Sequence, residues 1–163
     1  MRVYIALGSN LGNREEYLRA GVRGLAERDV DIRRTASLYS TAPRDILDQP
    51  WFLNTAIEAD TAISPQELLA TCLEIEQQNK RVRDGEIQKG PRTLDIDIIF
   101  YGTEIIRSSG LTIPHPRFAV RRFVLVPLAE IAPDFIDPVS GKTIAELLSH
   151  CPDDGEVLLA GAL

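Results

Sequence analysis

Apolar residues along this chain of 163 residues gather in short runs that predict β-strands. These runs are residues 3–7, 32–39, 52–59 and 94–101, and the second alternates imperfectly. The first run stops at Gly8-Ser9-Asn10, which predicts a turn. The last run alternates strictly, and we expect Gly102-Thr103 to turn it into a hairpin with residues 104–106.

Helix signals lie between the predicted strands. Asn13, followed by Glu16, indicates the start of a first helix. The start of a second helix is clearer, because Ser64 is a capping residue, Pro65 suits the first helical position and Glu67 completes a capping box. We expect this helix to end at about residue 81. The apolar faces of the two helices would consist of Leu18, Val22 and Leu25, and of Leu68, Cys72 and Ile75.

The connections complete the predicted architecture. Residues 41–50 and 83–89 form polar segments that we interpret as functional loops. Two prolines flank His115 and favour an extended path there, and residues 124–128 and 145–148 add apolar packing. The short connections and the expected hairpin favour an antiparallel or mixed sheet with helices on its faces, which is an α+β fold. The length fits a single domain over residues 1–163.

Composition narrows the class of partner. The chain is 44% apolar and 26% charged, as soluble globular proteins are, and its formal net charge is −6. This acidity argues against a nucleic-acid partner but allows a small anionic ligand held by a local arginine cluster. Cys72 and Cys151 lie far apart without spaced metal-ligand partners, so neither a zinc site nor a disulfide is expected. Without a signal peptide or a run of about 20 apolar residues, we predict a cytoplasmic protein that does not enter a membrane.

The most informative pattern is a pair of acidic residues in the last predicted strand. Asp95 and Asp97 alternate with apolar residues, so their carboxylates should share one strand face, roughly 6.6 Å apart along the strand. Leu94, Ile96, Ile98 and Phe100 should share the other face. Two neighbouring carboxylates are costly unless a cation meets them, and their oxygens suit Mg²⁺ bound to phosphates. From this spacing alone, a wet sheet edge paired with arginines is an equally open interpretation.

The residues around this pair carry a resemblance to a known family. The chain resembles the 6-hydroxymethyl-7,8-dihydropterin pyrophosphokinase family nearly end to end. The shared motifs are Gly8-Ser9-Asn10-Leu11, Tyr39-Ser40-Thr41, Phe52-Leu53-Asn54, Glu76 with Arg81-Val82-Arg83, the run from Gly90-Pro91-Arg92 through Asp95-Ile96-Asp97-Ile98, and Pro114-His115-Pro116. Gly-Pro-Arg followed by the two aspartates at this spacing is the most specific of them.

The resemblance implies both a fold and a reaction. The fold would be a ferredoxin-like antiparallel sheet sandwiched by helices in three layers. The reaction would move pyrophosphate from ATP to the hydroxymethyl oxygen of 6-hydroxymethyl-7,8-dihydropterin, release AMP and serve folate biosynthesis. The expected partners are these two small molecules, and the expected state is a monomer.

The resemblance also implies roles for individual residues at the nucleotide side. Asp95 and Asp97 would bind two magnesium ions. No residue has to act as a general base, and Asp97 is the best candidate for that role. Arginine forks would face the triphosphate and stabilise charge during transfer. These arginines are Arg83, Arg92 and Arg121, and the ATP site would be lined further by Glu76, Ile98, Thr112 and His115.

At the pterin side, the resemblance implies that Phe52 and Phe123 stack on the two faces of the flat ring. Asn54 would offer a donor and an acceptor to the ring edge, and main-chain groups around Thr41 would add to it. Simpler interpretations exist: the two phenylalanines could be core residues, and His115 could lie on the surface. Positions that depart from the family pattern are Arg44, Leu73, Lys89 and Gly110, and none of them touches the metal pair.

Two other classes of function remain open from the sequence. A nucleotidyl transferase could use the same pair of aspartates and would release inorganic pyrophosphate. A non-catalytic, ferredoxin-like module could bind a small ligand without turnover, although the arginines expected near the metal pair argue against it.

Overall fold

The computed structural model describes residues 1–42, 51–79 and 93–163. The secondary structure of these residues alternates strands and helices as expected. The strands are β1 (Arg2–Ser9), β2 (Val30–Thr35), β3 (Leu38–Thr41), β4 (Phe52–Thr61), β5 (Asp95–Tyr101), β6 (Ile106–Ser108), β7 (Leu111–Ile113) and β8 (Val157–Gly161). The helices are α1 (Arg14–Ala26), α2 (Pro65–Gln78), α3 (Arg122–Ile131) and α4 (Ile144–Ser149), with a short 3₁₀ turn at Phe118–Val120.

One antiparallel sheet forms the middle of three layers. Its strands follow the order β5-β1-β4-β3-β8, with β2 also paired to β4, while β6 and β7 form a separate small sheet. Helices α1 and α2 pack on one face, where Leu18 and Leu68 join Ile5 and Ile57 in one apolar cluster. Helices α3 and α4 cover the opposite face, where they form a second apolar cluster with Tyr4 and Phe100 of the sheet. The predicted α+β fold, with helices on both faces of a ferredoxin-like sheet, is confirmed.

Both helix starts form where the sequence signals placed them. The Asn13 side chain accepts a hydrogen bond from the Glu16 N–H at 3.2 Å. Ser64 Oγ accepts from the Glu67 N–H at 3.1 Å, and the Glu67 carboxylate accepts from the Ser64 N–H. The second helix ends at Gln78, and the expected end near residue 81 lies outside the described residues.

The predicted strand at residues 32–39 is wrong as a single element. The structure divides it into β2 and β3, both paired with β4. The ladder breaks because the Ser37 main-chain N–H and hydroxyl bond the Glu130 carboxylate of α3, at 3.0 and 3.2 Å, rather than a neighbouring strand. A side chain from another layer therefore competes with strand pairing at this point.

The predicted hairpin of residues 104–106 with the preceding strand is also wrong. Ile106 begins β6, which pairs with β7. The outer edge of β5 is already used, because the Ile99 carbonyl accepts from the His115 N–H at 3.1 Å and the Ile96 N–H donates to Glu76 at 2.7 Å. A hairpin strand over residues 104–106 would reach back to Ile99, whose carbonyl is already bonded to His115.

A third correction concerns the last part of β5. Phe100 does not share a face with Ile98, because the β1–β5 register shifts between Tyr4 and Ile5, and Ile99 is the extra residue. Phe100 packs on the opposite face, with its ring centroid 4.9 Å from that of Phe118. A one-residue bulge reverses the alternation of all later side chains. The two aspartates precede the bulge, so their predicted alternation is kept.

Candidate active site

Residues proposed for the metal and pterin lie in two neighbouring rows on one face of the sheet. In the first row, Asp95 is opposite Gly8, and Gly8 is opposite Asn54. In the second row, Asp97 is opposite Ala6. Residues directly opposite each other in antiparallel strands share a face, and Ala6 packs with the α3 layer. The two carboxylates and the Asn54 amide therefore project from the same side of the sheet.

Gly8 is a strand residue, and this corrects its interpretation as part of a turn. Strand β1 continues through Ser9, so both residues pair with β4. A Cβ at Gly8 would lie 2.7 Å from Asn54 Oδ1, which is closer than van der Waals contact allows. Glycine is needed here because the Asn54 amide lies against the neighbouring backbone.

A buried hydrogen bond sets the orientation of the Asn54 amide. Asn54 Nδ2 donates to Thr41 Oγ1 at 2.8 Å, and both side chains are buried. Thr41 is opposite Phe52 in the β3–β4 ladder, so Phe52 lies on the same face two residues before Asn54. The structure thus brings Thr41, Phe52 and Asn54 together at one corner of the sheet, next to Gly8.

Glu76 is a buried carboxylate rather than part of a solvated helix face. Its exposed fraction is 2%, and its Oε2 accepts the Ile96 main-chain N–H at 2.7 Å. Ile96 lies between the two aspartates, so α2 holds the strand that carries them. A charged acceptor makes this bond stronger than one between neutral groups. This bond of Glu76 is therefore to the strand that carries Asp95 and Asp97, whereas the family resemblance implied a nucleotide contact.

His115 lies between positive and negative charges near the start of β5. Burial, together with the positive charges of Arg121 and Arg117, lowers its pKa to about 4, although the negative charge of Asp95 opposes this shift. Its Nδ1 accepts the Arg117 N–H at 3.2 Å. At neutral pH this imidazole is therefore uncharged.

The start of α3 contributes an arginine and an aromatic ring. The Arg121 guanidinium carbon lies 5.7 Å from the centre of the Phe123 ring, which is cation–π distance. Phe123 is half-buried and packs against the apolar cluster on the face that carries Asn54 and the aspartates. One short segment therefore presents both a guanidinium group and a flat apolar ring.

Some predicted site residues are not brought into this arrangement. The Ile98 side chain packs in the core between the sheet and helices α1 and α2. It therefore lies on the face opposite to Asp95 and Asp97. Thr112 is exposed on β7 opposite Arg107. Leu73 is exposed on α2, and Gly110 occupies the turn between β6 and β7 with φ 83°. Arg83 and Arg92 lie outside the described residues, so their predicted roles are untested, and so do the departing positions Lys89 and Arg44.

Comparison with known proteins identifies the family. Residues 4–133 match the family described as 7,8-dihydro-6-hydroxymethylpterin-pyrophosphokinase (HPPK). The chain belongs to the HPPK family. A Pseudomonas aeruginosa 2-amino-4-hydroxy-6-hydroxymethyldihydropteridine pyrophosphokinase is 41% identical over 163 residues, 99% of this chain and 98% of that protein. The Bacillus subtilis pyrophosphokinase of the same name is 46% identical over 129 residues, 78% of this chain and 76% of that one.

Other relatives of this HPPK chain are longer. The Pneumocystis carinii folic acid synthesis protein fol1 is 41% identical over 93% of this chain, which spans 20% of that protein. A crystal structure titled Plasmodium falciparum HPPK-DHPS wild type with pteroate matches with a TM-score of 0.72 at 16% identity, over 91% of this chain and 42% of that one. At this identity the match supports the fold alone.

These comparisons confirm the family resemblance, the enzyme class and pyrophosphate transfer to hydroxymethyldihydropterin in folate synthesis. The predicted cytoplasmic location stays a prediction. Within residues 1–42, 51–79 and 93–163, the helices are too short or too polar to cross a membrane.

One group at the site had no local signal in the sequence. Asp153 Oδ2 accepts the Arg122 N–H at 2.9 Å, and the two residues are 31 positions apart. The Gly8 contact had a partial signal, because glycine within an apolar strand often marks a close backbone approach.

Proposed function

We propose that this chain transfers a pyrophosphoryl group from ATP to the hydroxymethyl oxygen of 6-hydroxymethyl-7,8-dihydropterin and releases AMP. Membership of the HPPK family supports the reaction. The structural observation that carries the proposal is the common face of Asp95, Asp97 and Asn54, because the residues assigned to metal and to pterin lie side by side. We further propose a cytoplasmic monomer that acts on small molecules, without a nucleic-acid or membrane partner.

The donor chemistry of the two aspartates fits magnesium. Both carboxylates are half-buried on alternate residues of one strand, and Mg²⁺ takes oxygen ligands while keeping several waters. No cluster of three or more His, Cys, Asp or Glu side chains that could hold a metal occurs in the described part of the chain. Asp95 and Asp97 would therefore hold two ions together with waters and phosphate oxygens. When bound, the ions would neutralise phosphate charge and lower the pKa of the attacking hydroxyl.

The pterin would lie at the corner formed by β3, β4 and the start of α3. Phe52 and Phe123 supply flat apolar surfaces near the same sheet face, and aromatic stacking suits a planar ring. The Asn54 amide, held by Thr41, would present an oriented acceptor and its second N–H donor to the ring edge. A fixed amide favours one orientation of the pterin, so that the hydroxymethyl group is directed toward Asp95 and Asp97.

The nucleotide would lie on the α3 and β5 side of the aspartates. Arg121 would face the triphosphate, and Arg83 and Arg92 would join it from the segment between α2 and β5. His115 would contact the nucleotide as a neutral ring, because its pKa is lowered to about 4. Glu76 would act through the Ile96 main chain by holding the strand of the aspartates. Main-chain groups near Ile98 and the exposed Thr112 would complete the nucleotide side.

In the proposed reaction, the hydroxymethyl oxygen of the pterin attacks the β-phosphorus of ATP. The new bond joins this oxygen to the β-phosphorus, the bond between the β-phosphorus and the α,β-bridging oxygen breaks, and AMP leaves with that oxygen. The hydroxyl proton is lost to water or to Asp97. Positioning and charge stabilisation supply most of the catalysis in such transfers, and Arg83 and Arg92 are proposed to stabilise the charge on the bridging oxygens.

An assay of nucleotide products tests this function directly. With ATP, the pterin and Mg²⁺ together, we expect AMP and pterin pyrophosphate in equal amounts, and no AMP when either the pterin or the metal is omitted. Inorganic pyrophosphate as product would instead indicate a nucleotidyl transferase. Binding of both ligands without any turnover would indicate a non-catalytic module.

A further inference from the structure

The start of α3 is held by a residue from the C-terminal part of the chain. Arg121 occupies the N-cap position of α3, but its side chain makes no capping hydrogen bond. The first main-chain N–H of the helix, that of Arg122, donates to Asp153 Oδ2 at 2.9 Å. A carboxylate at a helix N-terminus is favoured both by this hydrogen bond and by the helix dipole. Asp153 thus acts as the cap that the local sequence lacks.

The carboxylate of Asp153 is itself oriented by its own segment. Its other oxygen, Oδ1, accepts the Gly155 N–H at 2.9 Å. Two residues beyond Gly155, Val157 begins β8 and is opposite Thr41 in the β3–β8 ladder. Residues 153–157 therefore connect the start of α3 with the strand end that carries Thr41. This segment lies beyond residues 4–133, where the family match ends.

The capped N–H lies between two residues of the candidate site. Arg122 separates Arg121 from Phe123, and the Arg121 guanidinium carbon is 5.7 Å from the centre of the Phe123 ring. At its other end, α3 is held by Glu130, which accepts hydrogen bonds from Ser37 and Tyr39. Loss of the Asp153 contact would therefore release the end of α3 that carries Phe123, while the far end stays attached to β3.

We propose that Asp153 is a positioning residue for the pterin subsite: its hydrogen bond to the Arg122 main chain fixes the Phe123 ring opposite the Asn54 corner of the sheet. This inference rests on the proposed pterin-binding role of Phe123. In this role Asp153 touches no substrate and acts through the start of α3.

The test compares Asp153→Ala, Asp153→Asn and Asp154→Ala by steady-state kinetics with saturating ATP and by equilibrium binding of the pterin. Asp153→Ala removes the acceptor, and we expect the pterin KM to rise roughly three- to tenfold, on the scale of a lost helix cap, while kcat changes less than twofold. Asparagine keeps one acceptor oxygen, which can cap the Arg122 N–H but cannot also accept the Gly155 N–H, so Asp153→Asn should raise the pterin KM less than Asp153→Ala does. Asp154 is exposed, and Asp154→Ala removes the same charge and should leave KM unchanged.

A double-mutant cycle separates positioning from general stability. In a Phe123→Ala background, Asp153→Ala should no longer change pterin affinity, because the ring that it positions is absent. The inference is overturned if Asp153→Ala lowers the melting temperature but leaves the pterin KM within twofold, or if it weakens binding equally in both backgrounds. A wild-type chain that binds ATP but not the pterin would overturn the proposed function as well. Pterin binding that is insensitive to Asp153→Ala would overturn this inference alone.

Discussion

Two acidic pairs with identical spacing lie on the same face of the sheet, one at each end. Asp95 and Asp97 alternate on β5, and Glu58 and Asp60 alternate on β4, opposite Tyr4 and Arg2 of β1. Both pairs project toward the layer of α3. Spacing and face are therefore insufficient to distinguish a metal-binding pair from a structural one.

The structural pair is neutralised by its own neighbours. Arg2 contacts Glu58 at 2.9 Å and Asp60 at 2.7 Å, Arg33 contacts Asp60 at 2.9 Å, and the Tyr4 hydroxyl donates to Glu58 at 2.7 Å. The hydrogen bond from Arg2, opposed in part by burial and helped by Arg33, lowers the pKa of Asp60. Burial, followed by the nearby Glu58, raises the pKa of Tyr4 to about 12. Glu58 and Asp60 therefore show the pairing with arginine that the sequence alone also allowed for Asp95 and Asp97.

The β1 residues opposite the other pair differ. Asp95 is opposite Gly8 and Asp97 is opposite Ala6, two residues without a charge or a long side chain. Gly8 and Ala6 have no side chain that could pair with a carboxylate, whereas Arg2 and Tyr4 contact the carboxylates at the Glu58–Asp60 end. The comparison indicates that the β1 residues opposite each pair distinguish the two ends.

The largest expected effect is a loss of activity on substitution in the Asp95–Asp97 pair. Asp97→Asn should lower kcat about 10³-fold, because metal binding supplies several kcal/mol of transition-state stabilisation and each 1.4 kcal/mol is tenfold. Turnover of ATP to AMP measures this loss. Asp134→Asn, which removes an exposed charge, is the matched control and should keep wild-type turnover. Full activity in purified Asp97→Asn would contradict the metal role.

A substitution in the Glu58–Asp60 pair should instead lower stability and leave activity unchanged. Glu58→Gln leaves Arg2 without its buried partner and weakens the Tyr4 hydrogen bond, so we expect the free energy of unfolding to fall by about 2 kcal/mol. Turnover at a temperature where the variant is folded should be unchanged. Denaturant unfolding and the AMP assay on the same sample measure both. A loss of activity with unchanged stability would mean that this end of the sheet also belongs to the site.

A smaller effect is expected from a substitution at Gly8, a residue that has no equivalent beside Glu58 and Asp60. A Cβ in Gly8→Ala would lie 2.7 Å from Asn54 Oδ1 and would displace the amide. Loss of one oriented hydrogen-bonding group corresponds to roughly tenfold weaker pterin binding. Equilibrium binding of the pterin measures it. In an Asn54→Ala background the same substitution should have little effect, and an equal effect in both backgrounds would contradict the role of this contact.

The last expected effect is a pH dependence of stability from His115. Its folded pKa of about 4 is below the unfolded value of 6.5, so the unfolded chain binds the proton first as pH falls. Wild type should therefore lose stability as pH drops from about 6.5 toward 4. His115→Gln should show a shallower loss over this window. Unfolding free energies at pH 7 and pH 5 for both chains give the comparison, and equal slopes would contradict the effect of burial on this histidine.

Local signals in the sequence predicted a large part of the fold, and the failures have a common cause. The capping residues Asn13 and Ser64 and the alternation at Asp95 and Asp97 act within a few residues, so the sequence displays them directly. The bulge at Ile99 and the use of the β5 edge by His115 and Glu76 depend on residues from distant elements. No short-range pattern carries that information.

The candidate site shows the same division. The acidic pair could be named from its residue types and spacing, whereas Asn54 could be named only from the family resemblance. The role of Gly8 required the β1–β4 register, and the contact of Asp153 with Arg122 required the packing of the C-terminal segment on α3. Glu76 was named, but its bond to Ile96 became visible only once α2 was packed beside β5.

The most direct test of the account is Mn²⁺ binding, measured by electron paramagnetic resonance in the presence of a non-hydrolysable ATP analogue. We predict nucleotide-dependent Mn²⁺ binding by the wild type and by a Glu58→Gln, Asp60→Asn variant, and its loss from an Asp95→Asn, Asp97→Asn variant that retains its melting temperature. Undiminished Mn²⁺ binding by the Asp95→Asn, Asp97→Asn variant would contradict the central claim that these two carboxylates hold the divalent ions.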